Sequence, residues 1–301
     1  MPPSTTRRFS FVQVDVFSAR PLEGNPLAVF TDARGLSDEE MQALAREMNL
    51  SETTFIFPRD AETERQRGVQ VRIFTPQEEL PFAGHPTLGT AMVLRSRSVG
   101  SKPSEVSLDL KVGKIPVQFR EESDGKVFGE MRQRDPEFGA IHAPAAVAQA
   151  SGLHTEDIAP HPPIQTVSTG VPFAIVPVKT LAAIQLLRPD WKRIEEYGRS
   201  SDAFSFFFVT RETVDPAARL HARMIFSNGE DPATGSASGC CAAWMVKYGV
   251  AKPDEQVLIQ QGIEIKRPSR IFVRAAREGE RVTNVRVGGY TVEVLRGEVI
   301  L

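Results

Sequence analysis

The sequence predicts an α/β protein of two similar halves, each wrapping strands around one buried central helix. Two segments, residues 84–95 and Gly235–Lys247, carry almost no charge on any face. A helix that is apolar or small all round is buried, and both segments are too short to span a membrane. A strand-like stretch, an acidic turn with proline and a glycine precede each segment. This similar context indicates a degenerate repeat of about half the chain.

The composition is that of an ordinary globular protein. The 301 residues contain 36 Lys and Arg against 38 Asp and Glu, for a formal net charge of −2. Near-neutral charge offers no broad basic surface for nucleic acid or a membrane, and the apolar runs are too short for a membrane span. We expect a cytoplasmic protein with halves at 1–130 and 131–290, in which the last strand, 291–301, joins the first half.

Strand patterns begin the chain and recur along it. Residues 11–17 alternate, with three valines on one side, as in a half-buried strand. The other stretches rich in β-branched, aromatic or aliphatic residues are also predicted to be strands. They are residues 27–30, 53–57, Val69–Phe74, Ser205–Thr210, Leu220–Phe226, 256–260, 284–287 and 291–294.

Helices are predicted between these strands. Ser37-Asp38-Glu39-Glu40 is a capping box that opens a helix reaching about Met48. Residues 145–151 and 181–197 have helical patterns, and Pro189 interrupts the second of them. The two central helices complete the set.

Several chemistries are excluded by the sequence. Cys240 and Cys241 are adjacent, which rarely suits a disulfide, and the five histidines show no metal-ligand spacing. No P-loop or Rossmann fingerprint occurs. The segment GSASG at 235–239 has alanine where a nucleophile elbow needs serine. Acid–base chemistry without a cofactor or a metal remains.

Each central helix begins at a glycine followed by a polar residue, Gly84-His85 and Gly235-Ser236. The first N–H groups of a helix lack an intrahelical partner, and the helix dipole favours negative charge there. Two such ends meeting in a cleft between the halves would bind a carboxylate or a developing oxyanion. The alternative is that both glycines only start core helices, and the duplication counts against it.

Four side chains suit this chemistry. His85 can exchange a proton near neutral pH, and Glu52, at the entry to an apolar strand, is expected to be partly desolvated. Asp231 lies near the second helix start, and Ser236 can orient a substrate. Each also has an ordinary interpretation: a core histidine, a solvated turn glutamate or a helix cap.

Further motifs follow one another over most of the chain. They are DVFS at 15–18, GNPLAV at 24–29, NLSETTF at 49–55, RIFTP at 72–76, ELPFAGHPTLG at 79–89, EDPATGSA at 230–237 and QGIE at 261–264. Together they resemble the phenazine biosynthesis PhzF-like isomerase family, within the diaminopimelate epimerase superfamily.

The resemblance implies two pseudo-symmetric halves, each a mainly antiparallel sheet or barrel around a central buried helix, and often a homodimer. It also implies cofactor-independent proton transfer at carbon on a small carboxylate-bearing substrate. Glu52 matches the family's catalytic acid/base, and His85 and Asp231 match its supporting polar residues. The matched substrate-contacting positions are Gly84, Gly235 and Ser236.

One departure bears on the reaction. The superfamily's epimerases carry a thiol at the start of each central helix, where this sequence has Ala83 and Thr234. This difference counts against two-thiol racemisation, and Cys240 and Cys241, more than a turn inside the helix, are predicted to be core residues. Two other functions stay open: a small-ligand binding protein without turnover, and an amino-acid epimerase.

Overall fold

A computed structural model describes residues 6–226 and 229–301, and in it the chain divides into two units. The first unit runs to Met131 and adds Tyr290–Leu301, and the second comprises Arg132–Gly289. Within the described ranges, no helix is long and apolar enough to cross a membrane.

The first unit is a mixed sheet with three helices. Its strands are β1 (Arg8–Val16), β2 (Asn25–Phe30), β3 (Glu52–Phe57), β4 (Val69–Phe74), β5 (Glu79–Leu80), β6 (Glu105–Leu110), β7 (Gly113–Glu121), β8 (Val127–Arg132) and β18 (Thr291–Ile300). Its helices are α1 (Asp38–Met48), α2 (Ala61–Arg67) and α3 (Gly84–Arg97). The strands pair in the order β18-β1-β2-β3-β4-β6-β7-β8, with β5 beside β4. Only the pairs β2–β3 and β4–β6 are parallel among these.

The second unit has the same type of sheet. Its strands are β9 (Glu137–Ile141), β10 (Gln165–Ser168), β11 (Pro172–Pro177), β12 (Ser205–Thr210), β13 (Leu220–Phe226), β14 (Gly229–Asp231), β15 (Val257–Gln261), β16 (Ser269–Glu278) and β17 (Arg281–Gly289). Its helices are α4 (Pro144–Ser151), a 3₁₀ turn (Thr155–Asp157), α5 (Leu181–Leu186), α6 (Trp191–Ser200) and α7 (Gly235–Lys247). The pairing order is β9-β10-β11-β12-β13-β15-β16-β17, with β14 beside β13.

The two units repeat one topology. Strand β1 corresponds to β10, β3 to β12, β5 to β14 and β18 to β9, and the parallel pairs β11–β12 and β13–β15 match β2–β3 and β4–β6. Helix α3 packs on β1, β2, β3, β6 and β7, and α7 packs on β10, β11, β16 and β17. The predicted fold class, two pseudo-symmetric halves around central buried helices, is confirmed.

An ion pair that occurs in both units allows their sequences to be aligned without a gap from the arginine to the start of the central helix. Arg72 on β4 binds Glu79 on β5 through two nitrogens, and Arg223 on β13 binds Glu230 on β14 in the same way. Partners lie seven residues apart in both pairs, and each pair has the same spacing to the first glycine of its central helix. Gly84 is therefore equivalent to Gly235.

A second duplicated motif aligns the strand before each parallel pair. The first unit has GNPLA at 24–28 and the second has GVPFA at 170–174, and both glycines adopt positive φ angles, 70° and 137°. Leu27 lies opposite Glu52 in the parallel register, and Phe173 lies opposite Ser205. Ser205 is therefore the equivalent of Glu52.

The helix predictions agree with the structure in outline. Ser37 and Glu40 form the predicted capping box, and residues 181–197 divide into α5 and α6 on either side of Pro189. The sequence patterns miss the strands β6–β11 and β16. Strands β7 and β9 bury few positions, so they lack the alternation of a half-buried strand. The sequence patterns also treat β5 and β14 as acidic turns.

Candidate active site

Glu52 opens β3 at one end of the parallel pair with β2. The chain reaches it from Asn49, which ends α1 in the left-handed conformation with φ of 50° and so redirects the backbone into the strand. Alternate strand residues share a face, and Thr54, two residues on, places Oγ1 2.8 Å from Oγ1 of Thr90 on α3. Glu52 therefore faces the start of α3, with its side chain 16% exposed.

His85 lies beside Glu52 in the first turn of α3. Its Nε2 is 3.4 Å from Glu52 Oε2, and the imidazole is 5% exposed. Burial lowers the pKa of His85 to about 3, so the ring is neutral at pH 7. Asn25 places Nδ2 3.3 Å from His85 Nδ1. Because an amide NH₂ only donates, Nδ1 accepts, and the ring proton sits on Nε2 facing Glu52.

The turn before β2 fixes Asn25. Asp15 is buried, and its Oδ2 accepts a 2.6 Å hydrogen bond from the backbone N–H of Leu22. At Gly24, with φ of 70°, an added Cβ would lie 2.3 Å from the carbonyl oxygen of Val16. Only glycine fits this turn, and the tight turn sets where Asn25 enters the strand.

The start of α3 is suited to bind an anion. Ala83 is the N-cap residue and has no side-chain oxygen to accept from the helix. Gly84 and His85 follow it, and N–H groups in a first turn have no intrahelical acceptor. The first unit thus brings Glu52, His85 and Gly84 together, which places a carboxylate, a neutral imidazole and a helix N-terminus at one point.

Asp231 lies at the end of β14, before α7. Its Oδ2 accepts a 2.6 Å hydrogen bond from Thr234 Oγ1. Gln261 Nε2 donates to the Asp231 carbonyl oxygen at 2.7 Å and to Thr234 Oγ1 at 3.0 Å, and Gln261 Oε1 accepts from Thr234 N at 3.1 Å. Thr234, and not Asp231, is the N-cap residue of α7.

Gly235 and Ser236 start α7 as predicted. The carbonyl oxygen of Gly235 accepts from Gln133 Nε2 at 3.0 Å. Ser236 is half-buried, whereas Ala237 and the residues after it are buried as far as Val246. The second unit thus brings Asp231, Gly235 and Ser236 to one helix start.

The thiols lie inside α7, away from its start. Cys240 and Cys241 are both fully buried, which confirms that they are core residues. Burial raises the pKa of Cys240 to about 11 and that of Cys241 further. Across residues 6–226 and 229–301, no group of three or more His, Cys, Asp or Glu side chains is arranged to hold a metal ion.

Three polar residues of these sites were not singled out by their chemistry in the sequence: Asn25, Thr234 and Gln261. Each lies inside a motif, but an amide or a hydroxyl group does not by itself indicate a functional residue. The internal repeat could have identified Asn25, because the motif at 24–28 recurs at 170–174 with Val171 in its place.

Comparisons with known proteins agree with this architecture. A family model described as phenazine biosynthesis-like protein matches residues 14–297. A trans-2,3-dihydro-3-hydroxyanthranilate isomerase from Pseudomonas aeruginosa is 36% identical over 296 residues, covering 97% of this chain and 99% of the relative. The crystal structure of a PhzF-family phenazine biosynthesis protein from Bacillus anthracis has a TM-score of 0.88 at 29% identity, covering 98% of this chain and 100% of that one. A hydroxyproline epimerase from Agrobacterium vitis, at 14% identity and a TM-score of 0.65, covers 98% of this chain and 93% of its own and shares the fold.

Proposed function

Since this chain belongs to the phenazine biosynthesis-like protein family and is an isomerase, we propose that it moves a proton at carbon on a small carboxylate-bearing substrate, without a cofactor. The observation that carries the proposal is the carboxylate of Glu52 beside the neutral ring of His85 at the start of α3. Acid–base chemistry needs only such positioned groups.

Glu52 is the group that takes the proton and returns it. His85 does not compete for that proton, because burial holds its pKa at about 3 and leaves the ring neutral. The neutral ring places Nε2, which carries the ring proton, 3.4 Å from Oε2 of the Glu52 carboxylate. A fixed base close to a bound carbon acid lowers the barrier to proton transfer through proximity and orientation.

The helix starts supply the anion contacts. N–H groups of the first turn of α3 stabilise the substrate carboxylate and the negative charge that develops when carbon loses its proton. Gly84 lets the substrate approach the backbone closely. In the second unit, Gly235 and Ser236 offer the same kind of contact, and Asp231 is a supporting polar residue.

The name of one relative suggests where to start with substrates. The Pseudomonas aeruginosa relative is a trans-2,3-dihydro-3-hydroxyanthranilate isomerase, and that compound carries a carboxylate. We propose compounds of this class, small unsaturated carboxylates with an acidic C–H, as the substrates of this chain.

Solvent deuterium incorporation tests the proposal. The protein is incubated in D₂O with trans-2,3-dihydro-3-hydroxyanthranilate and a panel of small unsaturated carboxylates, and products are followed by proton NMR. The proposal predicts an isomerised product with deuterium at the carbon that receives the proton. Compounds that bind without any exchange would identify a ligand-binding protein and contradict the proposal. Inversion of a stereocentre in an amino acid, without a shift of unsaturation, would identify an epimerase instead.

A further inference from the structure

The internal repeat allows the polar groups near α7 to be compared with their equivalents in the first unit. Ile73 pairs with Leu80 as Met224 pairs with Asp231, so Leu80 and Asp231 are equivalent. The parallel pairs β4–β6 and β13–β15 share one register, which fixes the equivalences on β6 and β15. The second unit has Asp231, Thr234 and Gln261 at positions where the first has Leu80, Ala83 and Leu110.

The three polar side chains form one closed network. Gln261 is fully buried, Thr234 is buried and Asp231 is half-buried. The amide of Gln261 contacts both ends of the turn at 231–234, and the hydroxyl of Thr234 connects that amide to the Asp231 carboxylate. Among the described residues, each hydrogen bond of the Gln261 side chain ends on this turn.

The residues after Gln261 hold it against the turn. Gly262 has φ of 78°, and an added Cβ would lie 2.5 Å from the carbonyl oxygen of Pro232. Two residues on, Glu264 accepts a 2.8 Å hydrogen bond from Nε2 of the fully buried His221. The segment that follows Gln261 is thus anchored at both Gly262 and Glu264.

Capping of α7 does not account for this arrangement. A threonine N-cap normally accepts a hydrogen bond from an N–H in the first turn of the helix. Thr234 makes no such bond, and its hydroxyl donates to Asp231 instead. A buried amide is also costly unless its hydrogen bonds are satisfied, and the first unit fills the same place with leucine.

We infer that Thr234 and Gln261 are positioning residues that fix the carboxylate of Asp231 for the reaction. This inference rests on the proposed function, in which Asp231 is a supporting polar residue of the site. The hydroxyl of Thr234 sets the rotamer of Asp231, and Gln261 sets the rotamer of Thr234 and the backbone of the turn. Neither residue is required to touch the substrate.

A double-mutant cycle tests this inference. The chains compared are wild type, Thr234→Val, Asp231→Asn and the double variant, with Thr234→Ser as the conservative variant that keeps the hydroxyl. Thr283→Val is the matched control, because Thr283 is buried and its hydroxyl has no partner among the described residues. The readouts are kcat and KM for isomerisation, the thermal midpoint, and a crystal structure of Thr234→Val.

The inference predicts that Thr234→Val lowers kcat by about 10- to 100-fold, as for one hydrogen bond to a charged group, with a smaller change in KM. Thr234→Ser restores kcat to within about threefold, and Thr283→Val leaves kcat unchanged. In the Asp231→Asn background, Thr234→Val has little further effect, because its action passes through Asp231. Additive losses in the cycle, or an unmoved Asp231 carboxylate in the Thr234→Val structure, would overturn the inference.

The structural readout separates this inference from the proposed function. A Glu52→Gln variant with full activity would refute the assignment of Glu52 and leave the cycle at Asp231 intact. If no compound of the panel turns over, the Asp231 rotamer in Thr234→Val and Thr234→Ser decides the inference alone. A displaced carboxylate in the first variant and a native one in the second support it.

Discussion

The environment of His85 determines its role. The ring lies in the first turn of α3, where it is buried beside Asn25. Burial disfavours the charged form of the imidazole and lowers the pKa of His85 to about 3. A histidine in this state is neutral at pH 7, and its Nε2 lies 3.4 Å from Oε2 of Glu52. The proposed mechanism therefore assigns the acceptance of the proton to Glu52.

The same burial makes stability depend on pH. An unfolded chain takes up a proton on His85 below pH about 6.5, and the folded chain does not until about pH 3. The unfolded state thus binds more protons in this window, and stability falls as the pH falls, by about 1.4 kcal/mol per unit at most. Wild type is expected to lose about 2 kcal/mol more than His85→Gln between pH 7 and pH 5. Urea unfolding at the two pH values measures this difference.

The exposed His154 provides the matched control. His154→Gln is expected to keep the pH dependence of wild type, because the substitution leaves the buried ring of His85 in place. Identical pH dependence in wild type and His85→Gln would show that the ring takes up its proton over the same pH range in the folded and unfolded chains. The lowered pKa of the buried ring would then be contradicted.

At the scale of elements, helix α3 packs closely against its sheet. Helix α3 approaches β1 and β2 at Gly89, where an added Cβ would lie 2.7 Å from both Val16 and Leu27. The side chain is absent so that the backbone of the helix can contact two strands directly. This contact keeps the start of α3 beside Glu52.

A Gly89→Ala variant is expected to be less stable by about 1 to 3 kcal/mol, the usual cost of overpacking a core. The matched control is Gly198→Ala in α6, where the nearest atom to the added Cβ lies at 3.4 Å. At that position alanine is expected to raise the free energy of unfolding by up to about 1 kcal/mol, because its helix propensity is higher than that of glycine. Thermal unfolding of both variants measures the two effects. A Gly89→Ala chain as stable as wild type would contradict the close packing of α3.

Many of the helices and strands could be predicted because the sequence patterns that specify them are local. The capping box at Ser37 and the small and apolar residues of the central helices are each encoded within a few residues. Strands such as β7 are not, because their few buried positions depend on neighbours distant in sequence. Local patterns therefore predict where buried helices lie better than where solvated strands lie.

At the scale of the whole chain, both units contain the same Arg–Glu ion pair, but the two pairs differ in how deeply they are buried. Arg223 and Glu230 are 6% and 8% exposed, and Arg223 also donates to the carbonyl oxygens of Ile184 and Leu187. Arg72 and Glu79 are more exposed, at 21% and 14%, and Lys111 lies 2.7 Å from Glu79. The glutamate of the second unit is thus more dependent on its arginine partner than the glutamate of the first unit.

Arg223→Met is expected to cost about 3 to 5 kcal/mol, because it leaves the carboxylate of Glu230 buried without its partner. Arg72→Met is the matched comparison and is expected to cost clearly less, since Lys111 remains beside Glu79. Urea unfolding midpoints of the two variants give the order. An equal loss in both variants would contradict the difference in burial.

The candidate sites show what the repeat adds to motifs. Glu52 and His85 can be selected from the sequence because they are titratable groups. A role for Thr234 and Gln261 is indicated only by comparison with Ala83 and Leu110, the equivalent residues of the other unit. Strand register is needed to make that comparison, and register is a property of the folded chain. The hydrogen bonds to Asp231 were therefore beyond reach of the sequence alone.

The most direct test of the central claim is the rate of solvent deuterium exchange by Glu52→Gln. The matched control is Glu47→Gln, the same change at an exposed position on α1. If Glu52 moves the proton, Glu52→Gln folds normally and loses about 10²- to 10⁴-fold in rate, whereas Glu47→Gln keeps the rate of wild type. A folded Glu52→Gln protein that exchanges at the wild-type rate would contradict the account.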